Sequence, residues 1–266
     1  MKEIDIIIPL HTYDDYVKNL LTRAIESVPE ENRLIIVTQD REIADKLNWL
    51  VEERKSETCT VISPADGVEW KSDFCSLVNE GVNACGSEWF SILEFDDTYT
   101  DIWFKNVGKY IEYKPEVSVF LPLEELVDYS KNQVIGYGNE APWASSFSNE
   151  IGYIDNDCLQ QYFDFYLTGS VFNVEDWKNY GGLKPSIKIS FWYEFLLRMT
   201  NKGKKVFVIP KLGYKHYVDR ENSLYDMYRK TIDEKESSWW FELAKQESNF
   251  KEDRNKTYEN NDEKGE

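Results

Sequence analysis

The sequence predicts an α/β fold built on a mixed, mainly parallel Rossmann-like sheet flanked by helices, with a helical extension at the C-terminus. Three observations carry this expectation. The N-terminal third alternates short β-branched runs with stretches of helical periodicity, the pattern of successive β-α units. Those runs are apolar at nearly every position, as a strand covered on both faces requires. The length, 266 residues, suits one large α/β domain or two small ones.

Taken in order, the run Ile4–Pro9 reads as a doubly buried strand. Residues 14–28 place Val17, Leu20, Leu21, Ala24, Ile25 and Val28 on one helical face. A second strand follows at 34–38, a helix at 42–54, a third strand at 59–63, a helix at 71–85 and a fourth strand at 89–94. In such a sheet ligands bind beyond the carboxyl ends of the strands. Function is therefore to be sought in the residues just after each strand.

The second half is less regular. A short strand is expected at 117–121. The connection 128–157 is rich in Gly, Asn, Ser and aromatic residues and is too long for an ordinary linker, so it reads as a functional loop or an insertion. A helix at 190–201 stops at Gly203, a strand follows at 206–209, and 214–217 reads as a further one. Residues 222–246 have the pattern of one long helix, and 249–266 are polar and charged enough to be expected disordered.

Composition narrows the function. Forty-nine acidic residues against 31 basic ones leave a net charge of -18, which disfavours binding of unmodified duplex nucleic acid. The same charge opposes any diphosphate ligand unless a divalent cation bridges the two. The four cysteines (Cys59, Cys75, Cys85, Cys158) lack metal-ligand spacing, and with two histidines in the chain zinc is not expected. No apolar run reaches the roughly 18 residues of a membrane span, and the N-terminus lacks the pattern of a secretory leader. The expected location is the cytoplasm.

The chemical signal is Glu94-Phe95-Asp96-Asp97 at the end of the fourth strand. Adjacent carboxylates at a strand terminus can chelate Mg²⁺ or Mn²⁺, which then holds a diphosphate. The alternative is that Asp97 caps the next helix while Asp96 is merely solvated.

Several segments resemble one family in the same order: Ile6-Ile7-Ile8-Pro9 with Thr12-Tyr13; Ala24-Ile25-Glu26-Ser27-Val28; residues 79–89 running into Glu94-Phe95-Asp96-Asp97; Gly181-Gly182-Leu183; Glu194-Phe195-Leu196-Leu197-Arg198; Gly203-Lys204-Lys205-Val206; Ile209-Pro210; and residues 216–223. Together they resemble the family-2 glycosyltransferases, which have the GT-A fold and a DxD-type motif. The likeness covers nearly all of residues 1–225. The compact length and the Asn139-Glu140-Ala141-Pro142-Trp143 loop give it the look of a virally encoded member, which would place it in the host cytoplasm.

The resemblance implies metal-dependent, inverting transfer of a sugar from a nucleotide-diphospho-sugar, UDP being the expected nucleotide, to a hydroxyl on a glycan, protein or other acceptor. It implies a GT-A domain over residues 1–222, with a nucleotide-binding half (1–98) and an acceptor half (99–222). A C-terminal helix (223–248) and an acidic tail (249–266) would follow. Pro9, His11, Thr12 and Tyr13 match positions around the nucleotide, and Asp40 matches an acidic residue that contacts the base, although the usual Asp-Asp pair reads Gln39-Asp40 here. Lys71 lies near a basic position of the family, and Arg220 suits the diphosphate. Glu94, Asp96, Asp97 and His216 match the metal site with Mn²⁺ or Mg²⁺ as cofactor, Asp96 also touching the donor. Glu94 stands where the motif usually has Asp.

The family's general base is usually one of a Glu-Asp pair, which aligns here with Phe191-Trp192. Glu194 is the nearest carboxylate and is taken as the base, with Asp155 and Asp157 in reserve; an ion pair to Arg198 at i,i+4 would explain Glu194 equally well. The aromatic segment 143–165 and the pair Trp192-Tyr193 could form an acceptor platform or simply pack a core. A sugar-nucleotide pyrophosphorylase is excluded because it needs a glycine-rich basic loop where His11-Thr12-Tyr13-Asp14-Asp15 stands. A catalytically inactive relative that binds donor or glycan remains as the alternative.

Overall fold

The computed structural model describes residues 2–220 except 55–57, 149, 163 and 219, and beyond them only residues 228, 238 and 242. Apart from those three residues, the helix and tail expected after residue 221 lie outside the described residues.

The first half follows the expected alternation. Strands β1 (Ile4–Pro9), β2 (Leu34–Val37), β3 (Cys59–Ile62) and β4 (Trp89–Ile92) are all parallel, in the spatial order β3-β2-β1-β4. Between them run α1 (Asp15–Glu26), α2 (Arg41–Lys46), α3 (Asn48–Arg54) and α4 (Phe74–Asn83). Asp14, Asp40 and Asp73 cap α1, α2 and α4 by accepting backbone N–H bonds. Asp73 is also why α4 begins at Phe74 rather than at Lys71. The single helix expected at 42–54 is divided at Leu47, whose N–H bonds back to Ala44.

The second half adds β5 (Thr98–Tyr99), α5 (Trp103–Tyr113), β6 (Val117–Asp128), β7 (Gln133–Gly138), β8 (Tyr153–Ile154), α6 (Asn156–Gln161), β9 (Val171–Asn173), α7 (Val174–Asn179), α8 (Phe191–Asn201) and β10 (Lys205–Val218). Strand β9 runs antiparallel between β4 and β6, joining the parallel half to a second parallel pair, β6 and β10. The short strands expected at 117–121, 206–209 and 214–217 are thus parts of two long ones. Pro210 lies within β10 where the register slips between Val208 and Leu212, a bulge that lets a proline sit in a strand. The connection 128–157 is no open loop: it folds into β7 against β6, a 3₁₀ turn at Ala141–Trp143, and β8 against the start of β10.

Alternation along the buried strands divides the core between the sheet faces. Ile4, Ile6 and Ile8 pack with α1, α2, α3 and α5, whereas Ile7, Ile35 and Val37 pack with α4, α6, α7 and α8. Each face supplies a dry support, and the strand ends project one edge of the sheet beyond it. Among the described residues no helix is long and apolar enough to cross a membrane.

Gly81 shows how closely the helical layer approaches. A Cβ there would lie 2.6 Å from Ile7 Cγ2 and 3.0 Å from Val37 Cγ2. Gly81→Ala gains about 1 kcal/mol of helix propensity but incurs about 1–3 kcal/mol of overpacking against two β-branched side chains, so a lowered urea midpoint is expected. Gly108→Ala in α5, where a new Cβ meets nothing within 4 Å, should add about 0.5–1 kcal/mol of stability and so raise the midpoint.

Candidate functional site

The carboxyl ends of β1, β2, β4 and β10 meet at one edge. Beyond β1, the Gln39 side chain at the end of β2 donates to the His11 carbonyl at 3.2 Å, and the His11 ring lies 5.8 Å from that of Phe95. Beyond β4 the chain turns tightly, the Asp97 N–H donating to the Glu94 carbonyl at 3.1 Å. The Glu94 N–H donates to the Tyr214 hydroxyl at 3.1 Å, tying this turn to β10. Gly169, with φ +76°, lies against the Tyr214 ring where a Cβ would come within 2.4 Å of Cδ2, so this close approach needs glycine.

Asp97 is the hub. One carboxylate oxygen lies 2.8 Å from His216 Nδ1, and the other accepts the Tyr217 N–H at 2.8 Å. Ligand atoms of Glu94, Asp97 and His216 all lie within 4.8 Å of one another, the only such group of three among the described residues. Carboxylate oxygens with an imidazole nitrogen are a suitable donor set for Mn²⁺ and can hold Mg²⁺. The chemistry of the group fits the cation.

Asp96, also expected among these ligands, is turned to a different partner. Its carboxylate accepts from Arg220 Nε at 2.5 Å, its carbonyl accepts from Arg23 Nη2 at 2.5 Å, and it stands outside the three-residue group. Consecutive residues on a tight turn point apart, and half-buried Arg220 claims the one that faces it. The Arg220 guanidinium also lies 5.1 Å from the Phe95 ring, and that of Arg23 lies 4.2 Å from the Tyr217 ring.

The electrostatics follow from crowding acids in a dry place. Burial, then the Asp97 charge, pushes Glu94 up to about 8. Burial and Asp97 also raise Asp96, although Arg220 opposes them. Burial alone would lower His216, but Asp97, Glu94 and Glu124 outweigh it and hold the imidazole up at about 10. His11 is depressed to about 4 by burial and then by Arg220.

The remaining expected residues are distributed as follows. Pro9 ends β1 and is buried. Thr12 is exposed, and Tyr13 is half-buried with its hydroxyl accepting from Trp49 Nε1 at 3.1 Å. Asp40 is committed to capping α2, accepting the Glu42 N–H at 2.8 Å. Beside it an open cleft of about 540 Å³ is lined by Gln39, Arg41, Pro64, Asp66 and Val68 among others. Lys71 is exposed on the segment before α4.

Glu194 differs from expectation. Its carboxylate lies 2.7 Å from Lys184 Nζ and 2.9 Å from both Arg198 Nε and Nη2, while Arg198 also donates to the carbonyls of Tyr180 and Gly182. Burial would raise its pKa, but hydrogen bonds from Arg198 and Lys184 hold it below the usual carboxylate value. An anion so stabilised is a weak base, and the i,i+4 pair with Arg198 is present in the structure. Asp155 and Asp157 lie at the start of α6, beside the start of β10: Ile154 pairs with Val206, ten residues before His216 on the same strand. They are at the opposite end of the sheet from the cluster. At that same end Trp143 and Tyr153 pack on Phe207, Tyr153 buried in the core and Trp143 exposed at 37% of its surface.

Arg23, which bonds the Asp96 carbonyl, and the buried Glu124 belong to no motif of the sequence. Glu124 in particular looks like a solvated charge beside Glu125. Apolar residues at both i−2 and i+2, Pro122 and Leu126, would have marked it as inward-facing had the strand been extended past Leu121.

No protein-family model and no curated protein sequence matches this chain. Solved structures do. TarS 1-349 of S. aureus in complex with UDP-GlcNAc superposes with a TM-score of 0.62 at 13% identity, over 84% of this chain and 60% of that one. The same protein in complex with UDP gives 0.60 at 13% identity, over 92% and 70%. The mannosyltransferase PcManGT from Pyrobaculum calidifontis, in complex with GDP-Man and Mn²⁺, gives 0.61 at 12% identity, over 85% and 59%. At this identity the likeness shows the fold, which is GT-A, and the chain spans about 60% of the length of the TarS 1-349 chain in its UDP-GlcNAc complex.

With two histidines in the chain, NMR can follow each separately. In EDTA, His11 should titrate near 4 and His216 near 10, and excess Mg²⁺ at pH 7.5 should move His216 alone toward its neutral form. A His216 already neutral at pH 7.5 in EDTA would remove its ion pair with Asp97. Because His11 takes a proton more readily in the unfolded chain, near 6.5, than in the fold, near 4, it contributes stability at neutral pH that is lost as pH falls through that window. His11→Asn should flatten the dependence there.

Proposed function

We propose that this GT-A chain transfers a sugar from a nucleotide-diphospho-sugar, held through a divalent cation, to an acceptor hydroxyl. The observation that carries the reading is the convergence of Glu94, Asp97 and His216 at the carboxyl edge of the sheet, with Arg220 beside them. Bound between these ligands and the donor, a divalent ion would neutralise the diphosphate as it departs. An imidazole ligand favours Mn²⁺ over Mg²⁺.

The chain's own residues then have distinct tasks. The cleft at Gln39, Arg41 and Asp66 lies past β2 and β3 and offers planar and charged groups to a nucleobase. UDP is the nucleotide of two neighbours named above, and GDP-mannose that of the third. Arg220 exchanges its bond to Asp96 for diphosphate oxygens, which a guanidinium fork matches. Inverting displacement forms a bond from the acceptor oxygen to the anomeric carbon as the bond to the diphosphate breaks, and the acceptor proton passes to a base. Glu194 is read as the clamp on the 180–184 turn and not as that base. This favours one second reading, a relative that binds donor without transferring it.

Thermal shift with a panel of nucleotide-sugars, each with Mn²⁺, Mg²⁺ or EDTA, is the direct test. Stabilisation by one sugar-nucleotide that vanishes in EDTA and in Asp97→Ala supports the site; a melt unmoved by every nucleotide and metal ends it. Glu194→Gln should cost about 1–3 kcal/mol of stability, as charged hydrogen bonds do, while nucleoside-diphosphate release stays within about tenfold of wild type. A loss of about 10²–10⁴-fold with stability intact would instead restore Glu194 as the base.

A further inference from the structure

Glu124 lies in the middle of β6 with 0% of its surface exposed, and neither carboxylate oxygen has a hydrogen-bond partner. Its neighbours across the sheet are Tyr214 on β10 and Gly138 on β7. Side chains paired across a ladder share a face, and His216, two residues beyond Tyr214, shares it too. The Tyr214 hydroxyl on this face reaches the Glu94 N–H. The charged groups that act on Glu124 are His216, Asp97 and Glu94.

The surroundings are closed. Gly138 offers no Cβ opposite Glu124, and one built there would lie 2.9 Å from the Tyr166 ring, which itself stands 5.6 Å from the His216 ring. Buried Asn139, at φ +70°, holds this wall: its side chain donates to the Pro122 and Tyr166 carbonyls at 3.0 and 2.9 Å and accepts the Tyr166 N–H at 3.0 Å. A carboxylate in such a place is unfavourable unless a proton or a cation compensates it.

We propose that Glu124 is a fourth protein donor to the cation site: its carboxylate stands outside the close group of Glu94, Asp97 and His216, and a turn of its side chain, on the face it shares with Tyr214 and His216, brings it to the ion. Three carboxylates and one imidazole make that site anionic enough to hold its cation without a nucleotide, so the ion is resident and does not arrive with the donor substrate. The inference rests on the cation site of the proposed function and adds a ligand and an order of binding to it.

The test is titration of the full chain with Mn²⁺ alone, following free Mn²⁺ by electron paramagnetic resonance, with melting in EDTA as the control for folding. Wild type should bind Mn²⁺ without nucleotide, and Glu124→Gln should weaken binding by roughly tenfold or more while melting in EDTA at the same or a higher temperature. Glu125→Gln, on the opposite face and 3.5 Å from Lys215, serves as the control and should leave the affinity unchanged. Glu124→Asp keeps the charge but shortens the arm; it should also weaken binding, and it decides the matter if the glutamine variant does not fold. Affinity within about twofold of wild type in the folded variants would mean that Glu124 carries a proton, and would overturn the proposal. Mn²⁺ binding by wild type only when UDP is present would overturn the resident ion and leave the proposed function standing. No Mn²⁺ binding under either condition would overturn both.

Discussion

The two hydrogen bonds accepted by Asp97 are the constraint on which the rest of the site depends. One oxygen meets His216 Nδ1 and the other the Tyr217 N–H. Through them the turn that ends the N-terminal parallel half is fastened to the end of β10, the last strand of the second half. Neighbouring contacts reinforce the joint: β5 pairs Thr98 with Lys215 and Tyr99 with Tyr214, and the Tyr214 hydroxyl accepts the Glu94 N–H. Residues 94 and 216 are far apart in sequence, yet the joint places them within ligand distance of one another. Because both partners are backbone or ring groups on rigid strands, little adjustment is left to the side chains.

The fold thereby solves an electrostatic problem that it also creates. A chain of net charge -18 gathers further acids, Glu94, Asp96, Asp97 and Glu124, at a water-poor edge where like charges repel strongly. Two cations of the chain answer part of this, Arg220 on Asp96 and the imidazolium of His216 on Asp97. What remains is a concentration of negative charge suited to a divalent ion and, through it, to a diphosphate. Glu194 shows the contrasting case. With Lys184 and Arg198 on it, its charge is locally balanced and serves to hold the 180–184 turn.

The first four strands and their helices were legible in the sequence because parallel strands covered on both faces read as unbroken apolar runs. The position of Glu94-Phe95-Asp96-Asp97 was legible for the same reason, since the end of such a run locates the carboxyl edge of the sheet. Element ends were less so: Asp73 moved the start of α4, and Leu47 divided the helix expected at 42–54. The second half was read in fragments. β10 carries Pro210 and Gly213 inside a 14-residue strand, and its bulges interrupt the alternation by which a strand is recognised. β7 exposes Val134, Ile135 and Tyr137 and so lacks the inside-outside contrast of a half-buried strand.

The sequence by itself determined the α/β class, the carboxyl edge of the parallel strands, and the pairing of acidic residues near 94–97 with a distant histidine segment. Local periodicity and composition suffice for these, because each is set by which residues must be buried along one element. Only the tertiary structure decided that Asp96 turns to Arg220 while Asp97 turns to His216, that Glu194 is ion-paired with both Lys184 and Arg198, and that Glu124 is fully buried. These choices depend on strand register between β6 and β10 and on which cation lies across from each acid. Both come from long-range pairing, which the local pattern of a single chain segment does not contain.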